Sequence, residues 1–196
     1  MSAATIGLRE RKKLATRQAL HQAAVSIAVE RGLERLTVEA IADAADVSRR
    51  TFSNYFASKE EALLYSDQQR VRRLLDLVRA RPGAEAPWVA LSAAALELVC
   101  DHGGDPRWTA QMRLLRRQPS LLAQQIATYG EAERALAQSV AERLEPSAER
   151  DLRARLLAAA LLTALRIAVQ QWTEDPGSIL PDILARVLDL AACPSS

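Results

Sequence analysis

A chain of 196 residues can hold one medium domain or a small domain joined to a larger one. Apolar residues make up 49% of it and aromatics only 4%, so the core must be built from Ala, Leu and Val, a composition that favours helix. No useful stretch alternates with period two, which leaves an all-α chain, and a net charge of +2 with an isoelectric point near 8.7 does not by itself indicate a nucleic-acid partner.

The distribution of charge says more than its sum. Arg9, Arg11, Lys12, Lys13 and Arg17 stand against the single acid Glu10. Such a basic arm lies on phosphates or in a minor groove, although a merely solvated terminus has the same composition. A first helix is expected from about Glu10 to Arg31, because Leu20, Ala23, Ala24, Ile27 and Ala28 repeat on one face and Gly32 can stop it. His21 within it reads as a solvated helix histidine. Leu33 and Leu36 should pack under the helix that follows.

The stretch from Thr37 to Lys59, TVEAIADAADVSRRTFSNYFASK, organises the rest. Val38, Ile41, Ala42 and Ala45 form one apolar helix face, and Thr37 can cap it. The helix breaks at Ala45-Asp46-Val47. Ser48 can cap a second short helix, Arg49 to Tyr55. There Phe52, Tyr55 and Phe56 can turn inward while Arg49, Arg50, Ser53 and Asn54 stay outside. Ser58 can cap a third, with Glu61 at the capping-box position. A short helix with donors on its outer face and a second helix behind it fits the major groove as a helix-turn-helix reader.

The order Thr-Val-x-x-Ile-Ala-x-x-Ala-x-Val-Ser-x-x-Thr-Phe-x-x-Tyr-Phe-x-Ser-Lys-Glu resembles the DNA-binding region of TetR-family transcriptional regulators over roughly residues 14–65. Asp46 departs from that pattern where the family usually has Gly, and Ser53 where it often has Tyr. The resemblance implies that Arg49, Arg50, Thr51, Ser53 and Asn54 sit at or beside base-facing positions, and that Thr37, Ser48, Tyr55 and Lys59 face phosphates. Arg49 or Arg50 has the donor pair for guanine O6 and N7, Asn54 for adenine, and the Thr51 methyl can meet a thymine methyl. Thr37, Ser48 and Ser58 would cap helices in any case, and Tyr55 can serve the core.

A long helix from Lys59 to about Arg79 ends at Arg81-Pro82-Gly83 and would connect the reader to the remainder. Further helices are expected at Trp88–Asp101, Arg107–Gln118, Ser120 to about Leu144, Ala148–Thr173, and from Ser178 or Pro181 to Ala192, about nine in all. Leu152, Leu156, Leu157, Ala160, Leu161, Ala164, Leu165, Ala168 and Val169 wrap more than half the eighth helix, and the ninth repeats this with Ile179, Ile183, Leu184, Val187, Leu188 and Leu190. Helices apolar nearly all round are central in a core or shared with a partner. A homodimer through residues of about 148–192 would supply the two heads that a palindromic double-stranded operator requires; a buried hairpin in a monomer is the alternative.

The domain division expected is therefore 1–58 for DNA binding and 59–196 for ligand binding and dimerisation. The family resemblance implies a small-molecule pocket among the middle helices. Trp88, Trp108, Met112, Leu115, Tyr129 and Trp172 are candidates to line it, and equally candidates for plain core. Met112-Arg113-Leu114-Leu115 and Pro119-Ser120-Leu121-Leu122 also resemble the C-terminal domain of mycofactocin-type members. Some of those are associated with acyl-CoA-like ligands, so the effector would be hydrophobic or acyl-CoA-like. Arg113, Arg116 and Arg117 could meet its phosphates or be ordinary surface charge.

Other chemistries find little support. There is no phosphate loop or nucleophile elbow, so no enzyme and no cofactor are expected. Cys100-Asp101-His102 lacks a second pair of ligand types, and no metal is expected. Cys100 and Cys193 give no disulfide framework. No signal-peptide segment opens the chain, and Leu156–Leu165, between Arg155 and Arg166, is too short to span a bilayer; a cytoplasmic protein without a membrane partner is expected. Two functions remain from the sequence: a ligand-responsive repressor, or a constitutive or architectural DNA-binding dimer without a small-molecule ligand. A helical adaptor that has lost DNA binding is a weaker third.

Overall fold

The computed structural model describes residues 7–102, 110, 122–175 and 177–192. Among these residues there are eight α-helices, one short 3-10 turn and no strand. The expected helix Arg107–Gln118 apart from Ala110, the Ser120 cap, Arg113, Arg116, Arg117 and Cys193 lie outside them. The chain divides into two compact units, residues 1–67 and 68–196.

The first unit begins with α1, Leu8–Arg31. Its first two turns carry the basic residues on an exposed surface, and its later turns bury Leu20, Ala24, Ile27 and Ala28. It stops at Gly32, whose φ of 88° and ψ of 161° belong to backbone that only glycine adopts readily. The 3-10 turn Leu33–Arg35 follows. Leu36 is buried beneath α2 as expected, whereas Leu33 is only half-buried. Helix α2, Val38–Ala44, and helix α3, Arg49–Ser53, complete the motif. α3 is two residues shorter than its pattern suggested, because the chain turns at Asn54-Tyr55 to bring Phe56 into the core.

Helix α4, Lys59–Ala80, starts in the first unit, where Ala62, Leu63, Leu64 and Tyr65 are buried. The second unit contains its remainder with α5, Pro87–His102, α6, Leu122–Ala141, α7, Arg150–Glu174, and α8, Leu180–Ala192. Helix α7 is central, packing on α5, α6 and α8. Buried Ala154, Ala158, Ala164 and Ala168 let the neighbouring backbones come close, and Leu161, Leu136, Leu91 and Leu184 fill the spaces between them. The end of α4 is held from a distance: Arg143 donates to the carbonyls of Val78, Arg81 and Pro82 at 2.6, 2.9 and 2.8 Å. They lie at and just beyond the helix end, where the Val78 and Pro82 carbonyls also accept from the Arg81 and Glu85 backbone N–H groups, and the cation complements the negative end of the dipole.

Candidate nucleic-acid interface

The local geometry of residues 37–61 follows from caps. The Thr37 hydroxyl accepts from the Ala40 backbone N–H at 3.1 Å and so starts α2. α2 ends in a Schellman pair: Val47 N–H reaches the Ala42 carbonyl at 3.0 Å, and Asp46 N–H reaches the Asp43 carbonyl at 3.1 Å. That closure requires a left-handed residue between the helices. Asp46 takes it with φ 53°, and among the described residues no other non-glycine has positive φ. A short polar side chain tolerates this backbone better than most.

Ser48 then starts α3. Its Oγ accepts from Thr51 N–H at 3.1 Å and lies 2.9 Å from the Thr51 hydroxyl. Ser53 donates back to the Arg49 carbonyl at 3.2 Å. Phe52 and Phe56 are buried with ring centroids 5.9 Å apart, which fixes the inner side of the helix. Arg49, Arg50, Ser53 and Asn54 are exposed, and Thr51 and Tyr55 are half-buried. The short helix therefore presents two guanidinium groups, an amide and a hydroxyl on one accessible surface. Lys59, at the start of α4, is half-buried, with Nζ 4.0 Å from the Glu60 carboxylate.

The corner between α3 and α4 is built from residues the sequence pattern assigned elsewhere. His21, expected to be solvated, is buried instead: its Nδ1 donates to the Ala62 carbonyl at 2.8 Å and its ring meets Tyr65 edge-on at 5.7 Å. The signal was present in its spacing, since His21, Ala24, Val25 and Ala28 share one helix face. Arg17, grouped with the basic arm, lies over the rings of Phe56 and Tyr65 at 5.0 and 4.8 Å and 3.7 Å from Glu61. That cation–π contact makes it part of the corner. Glu61 accepts from Ala57 N–H at 2.7 Å, one residue before the Ser58 cap that a standard capping box would satisfy, while Ser58 accepts from Glu61 N–H at 3.1 Å.

Two charged neighbours bear on the outer surface. Arg49 Nη2 lies 2.7 Å from Glu39 Oε1. The Glu39 carboxyl is held below its ordinary range, chiefly by a backbone N–H, with desolvation opposing and Arg49 and the Thr37 hydroxyl contributing less. A depressed carboxyl keeps its charge above the ordinary carboxylate range and loses it only as pH falls through the lowered value, so the pair is ionised at neutral pH.

The residues expected to line a ligand pocket are not alike. Trp172 is buried in the core of the second unit, Trp88 is half-buried against that core, and Tyr129 is 46% exposed. Trp108, Met112 and Leu115 lie outside the described residues. A separate open groove of about 440 Å³ runs between α6 and α7, lined by Gln138, Glu142, Arg150, Asp151, Arg155 and three alanines. Among the described residues there is no cluster of His, Cys, Asp and Glu suited to a metal, and no helix is long and apolar enough to cross a membrane.

A short helix with a basic, amide-bearing outer face, set by a tight turn against a preceding helix, defines a helix-turn-helix DNA-binding protein. Residues 20–65 match the family described as bacterial regulatory proteins, tetR family, and residues 85–194 match the MftR C-terminal domain. The chain is 36% identical to the HTH-type transcriptional regulator TcmR of Streptomyces glaucescens, over 85% of this chain and 76% of that one. Its fold is similar to that of SmeT, the repressor of the Stenotrophomonas maltophilia multidrug efflux pump SmeDEF, solved with triclosan, with a TM-score of 0.65 at 21% identity over 90% of each chain. It is also similar to FadR of Bacillus subtilis in complex with stearoyl-CoA, with a TM-score of 0.60 at 19% identity over 89% of this chain and 96% of that one. The chain belongs to the TetR family and is a DNA-binding transcriptional regulator.

Proposed function

We propose that the protein is a ligand-responsive repressor that binds a palindromic operator as a homodimer. The observation that carries the two-fold reading is a set of large apolar side chains on the last two helices that are exposed among the described residues. Leu152 and Leu156 on α7 are 60% and 61% exposed, Ile179 and Leu190 at α8 are 62% and 75% exposed, and Ala159, Ala160 and Ile167 on α7 are half-buried. Large apolar side chains left in water favour an association that removes them. Residues of about 148–192 are thus the dimer surface, and two heads then face two half-sites.

In this reading residues 1–58 bind DNA and residues 59–196 bind ligand and dimerise. Arg49 and Arg50 read guanine, Asn54 reads adenine, and Thr51 and Ser53 lie against base edges or their methyl groups. Thr37, Ser48, Tyr55 and Lys59 hold phosphates. Ser48 can do so if Thr51 donates the hydrogen bond they share, which leaves Ser48 its own proton. The exposed Arg9, Arg11, Lys12 and Lys13 of α1 add sequence-independent attraction.

The effector is a hydrophobic or acyl-CoA-like molecule held among the middle helices. The MftR-type C-terminal match and the stearoyl-CoA bound by a protein of the same fold support that class. Trp88, Trp108, Met112, Leu115 and Trp172 would form its walls, with the exposed Tyr129 at the mouth. A ligand that binds better to a geometry unable to span two half-sites must weaken operator binding by the same factor.

The test has two parts. Duplexes selected from random DNA by the purified protein define the operator, and anisotropy titrations then compare variants. Arg50→Ala should lose about 1–3 kcal/mol on operator, most of it as lost preference at one base pair per half-site. Lys59→Ala should weaken binding to operator and scrambled duplex alike and lower the salt slope by about one. Equal losses for Arg50→Ala on both duplexes would remove it from base reading. Addition of long-chain acyl-CoA should release operator; affinity indifferent to acyl-CoAs and other apolar ligands would favour a constitutive DNA-binding dimer.

A further inference from the structure

Arg49 already has a partner in the free protein. Its guanidinium Nη2 is 2.7 Å from the carboxylate of Glu39, with side chains 70% and 50% exposed respectively. Glu39 stands in the first turn of α2, at the positive end of its dipole. The ion pair thus joins the beginning of α2 to the beginning of α3. An ion pair this exposed adds little to folding stability. Its effect on Arg49 is geometric.

A free arginine loses most of its rotamer freedom when it is fixed against a base, and one already held loses less. The guanidinium has five N–H donors in a rigid fork. Glu39 engages one, and the fork retains the two parallel donors that guanine O6 and N7 accept. The same carboxylate lies on a surface that must approach phosphates, where it repels every DNA sequence. The arrangement therefore narrows the directions in which Arg49 can point and raises the cost of binding without the matching base.

We propose that Glu39 is a positioning residue for base reading: it presents the Arg49 guanidinium to one guanine in each half-site, and as an anion at the interface it holds down affinity for all other sequences. This rests on α3 being the DNA-reading helix.

The experiment compares wild type, Glu39→Gln, Arg49→Ala and the double variant on three kinds of duplex: the selected operator, operators with single base-pair changes, and a scrambled duplex. Glu39→Gln should bind the scrambled duplex several-fold more tightly. It should lose roughly three- to tenfold of the discrimination at the base pair where Arg49→Ala also loses it. With Arg49 already Ala, Glu39→Gln should change discrimination nowhere. Unchanged discrimination in Glu39→Gln would reduce the pair to ordinary surface charge and overturn the proposal. A loss at a base pair indifferent to Arg49→Ala, or an equal loss with and without Arg49, would also overturn it, since Glu39 would then be reading DNA itself. Failure of the underlying reading shows separately and earlier, as a wild-type protein that selects no sequence at all. Circular dichroism and thermal unfolding should match wild type in all three variants, because both side chains are exposed.

Discussion

Asp46 sits at the position where the direction of α3 is decided. The Schellman closure by Val47 and Asp46 needs a left-handed backbone, and Asp46 adopts it at φ 53°. Glycine would take the same backbone without steric cost, although it would also loosen the unfolded chain. Asp46→Gly should therefore stabilise the first unit by about 0.5–1 kcal/mol, and Asp46→Val should destabilise it by about 1–2 kcal/mol or more. Chemical denaturation followed by circular dichroism measures both. The sign for valine follows from its branched Cβ, which meets the following carbonyl in left-handed backbone. An Asp46→Val protein as stable as wild type would mean that the turn can close in another geometry. The DNA readout should follow: a re-aimed α3 loses operator preference before it loses charge-driven affinity, because phosphate attraction does not depend on where its side chains point.

At the scale of elements, the caps and breaks are legible in the sequence. Thr37, Ser48 and Ser58 cap their helices through the hydroxyls that the pattern assigned to them. Gly32 stops α1, and the Phe52-Phe56 spacing buries the inner side of α3 while its polar residues stay exposed. These are local properties, set within four residues. What the sequence did not disclose are contacts made by the fold between distant residues: His21 to the Ala62 carbonyl, Arg17 over Tyr65, Glu39 to Arg49, and Arg143 to the end of α4. A charged residue on a helix looks solvated until a partner element is placed beside it. Arg143 shows the scale of the effect. It supplies three hydrogen bonds to carbonyls of Val78, Arg81 and Pro82, while Arg81 Nε donates to Glu85 at 2.8 Å in the loop that follows. Hydrogen bonds from a charged donor to carbonyls at a helix end are among the stronger ones. Arg143→Ala should cost about 2–3 kcal/mol of stability in the second unit. Arg143→Lys should recover less than half of that, since a single ammonium cannot reproduce the fork. Full recovery by lysine in a denaturant titration would show that charge at the helix end matters more than the three bonds.

For the whole molecule, the proposed dimer would decide through the exposed apolar side chains of α7 and α8 whether one head or two meet the DNA. Fully burying a leucine contributes about 1.5–3 kcal/mol, and the partly exposed Leu152, Leu156, Ile179 and Leu190 of each copy in the proposed dimer would together work against the cost of association. A carboxylate placed in their midst would have to be buried unpaired on assembly. Leu156→Glu combined with Leu190→Glu should therefore give a monomer in sedimentation equilibrium. Its circular dichroism and unfolding midpoint should stay close to wild type, because both side chains are exposed within one chain. The consequence at the operator is larger than either substitution suggests. A single head makes half the contacts, and the linked second head no longer binds at high effective concentration. Operator affinity should fall at least about a hundredfold, into the range of the scrambled duplex. A duplex carrying one half-site should discriminate sharply: wild type and the double variant should bind it almost equally, since neither can engage a second site there. If the variant instead remains a dimer, the two copies associate through some other surface of the second unit. If it is monomeric yet keeps full operator affinity, one head is sufficient and the palindromic reading is wrong.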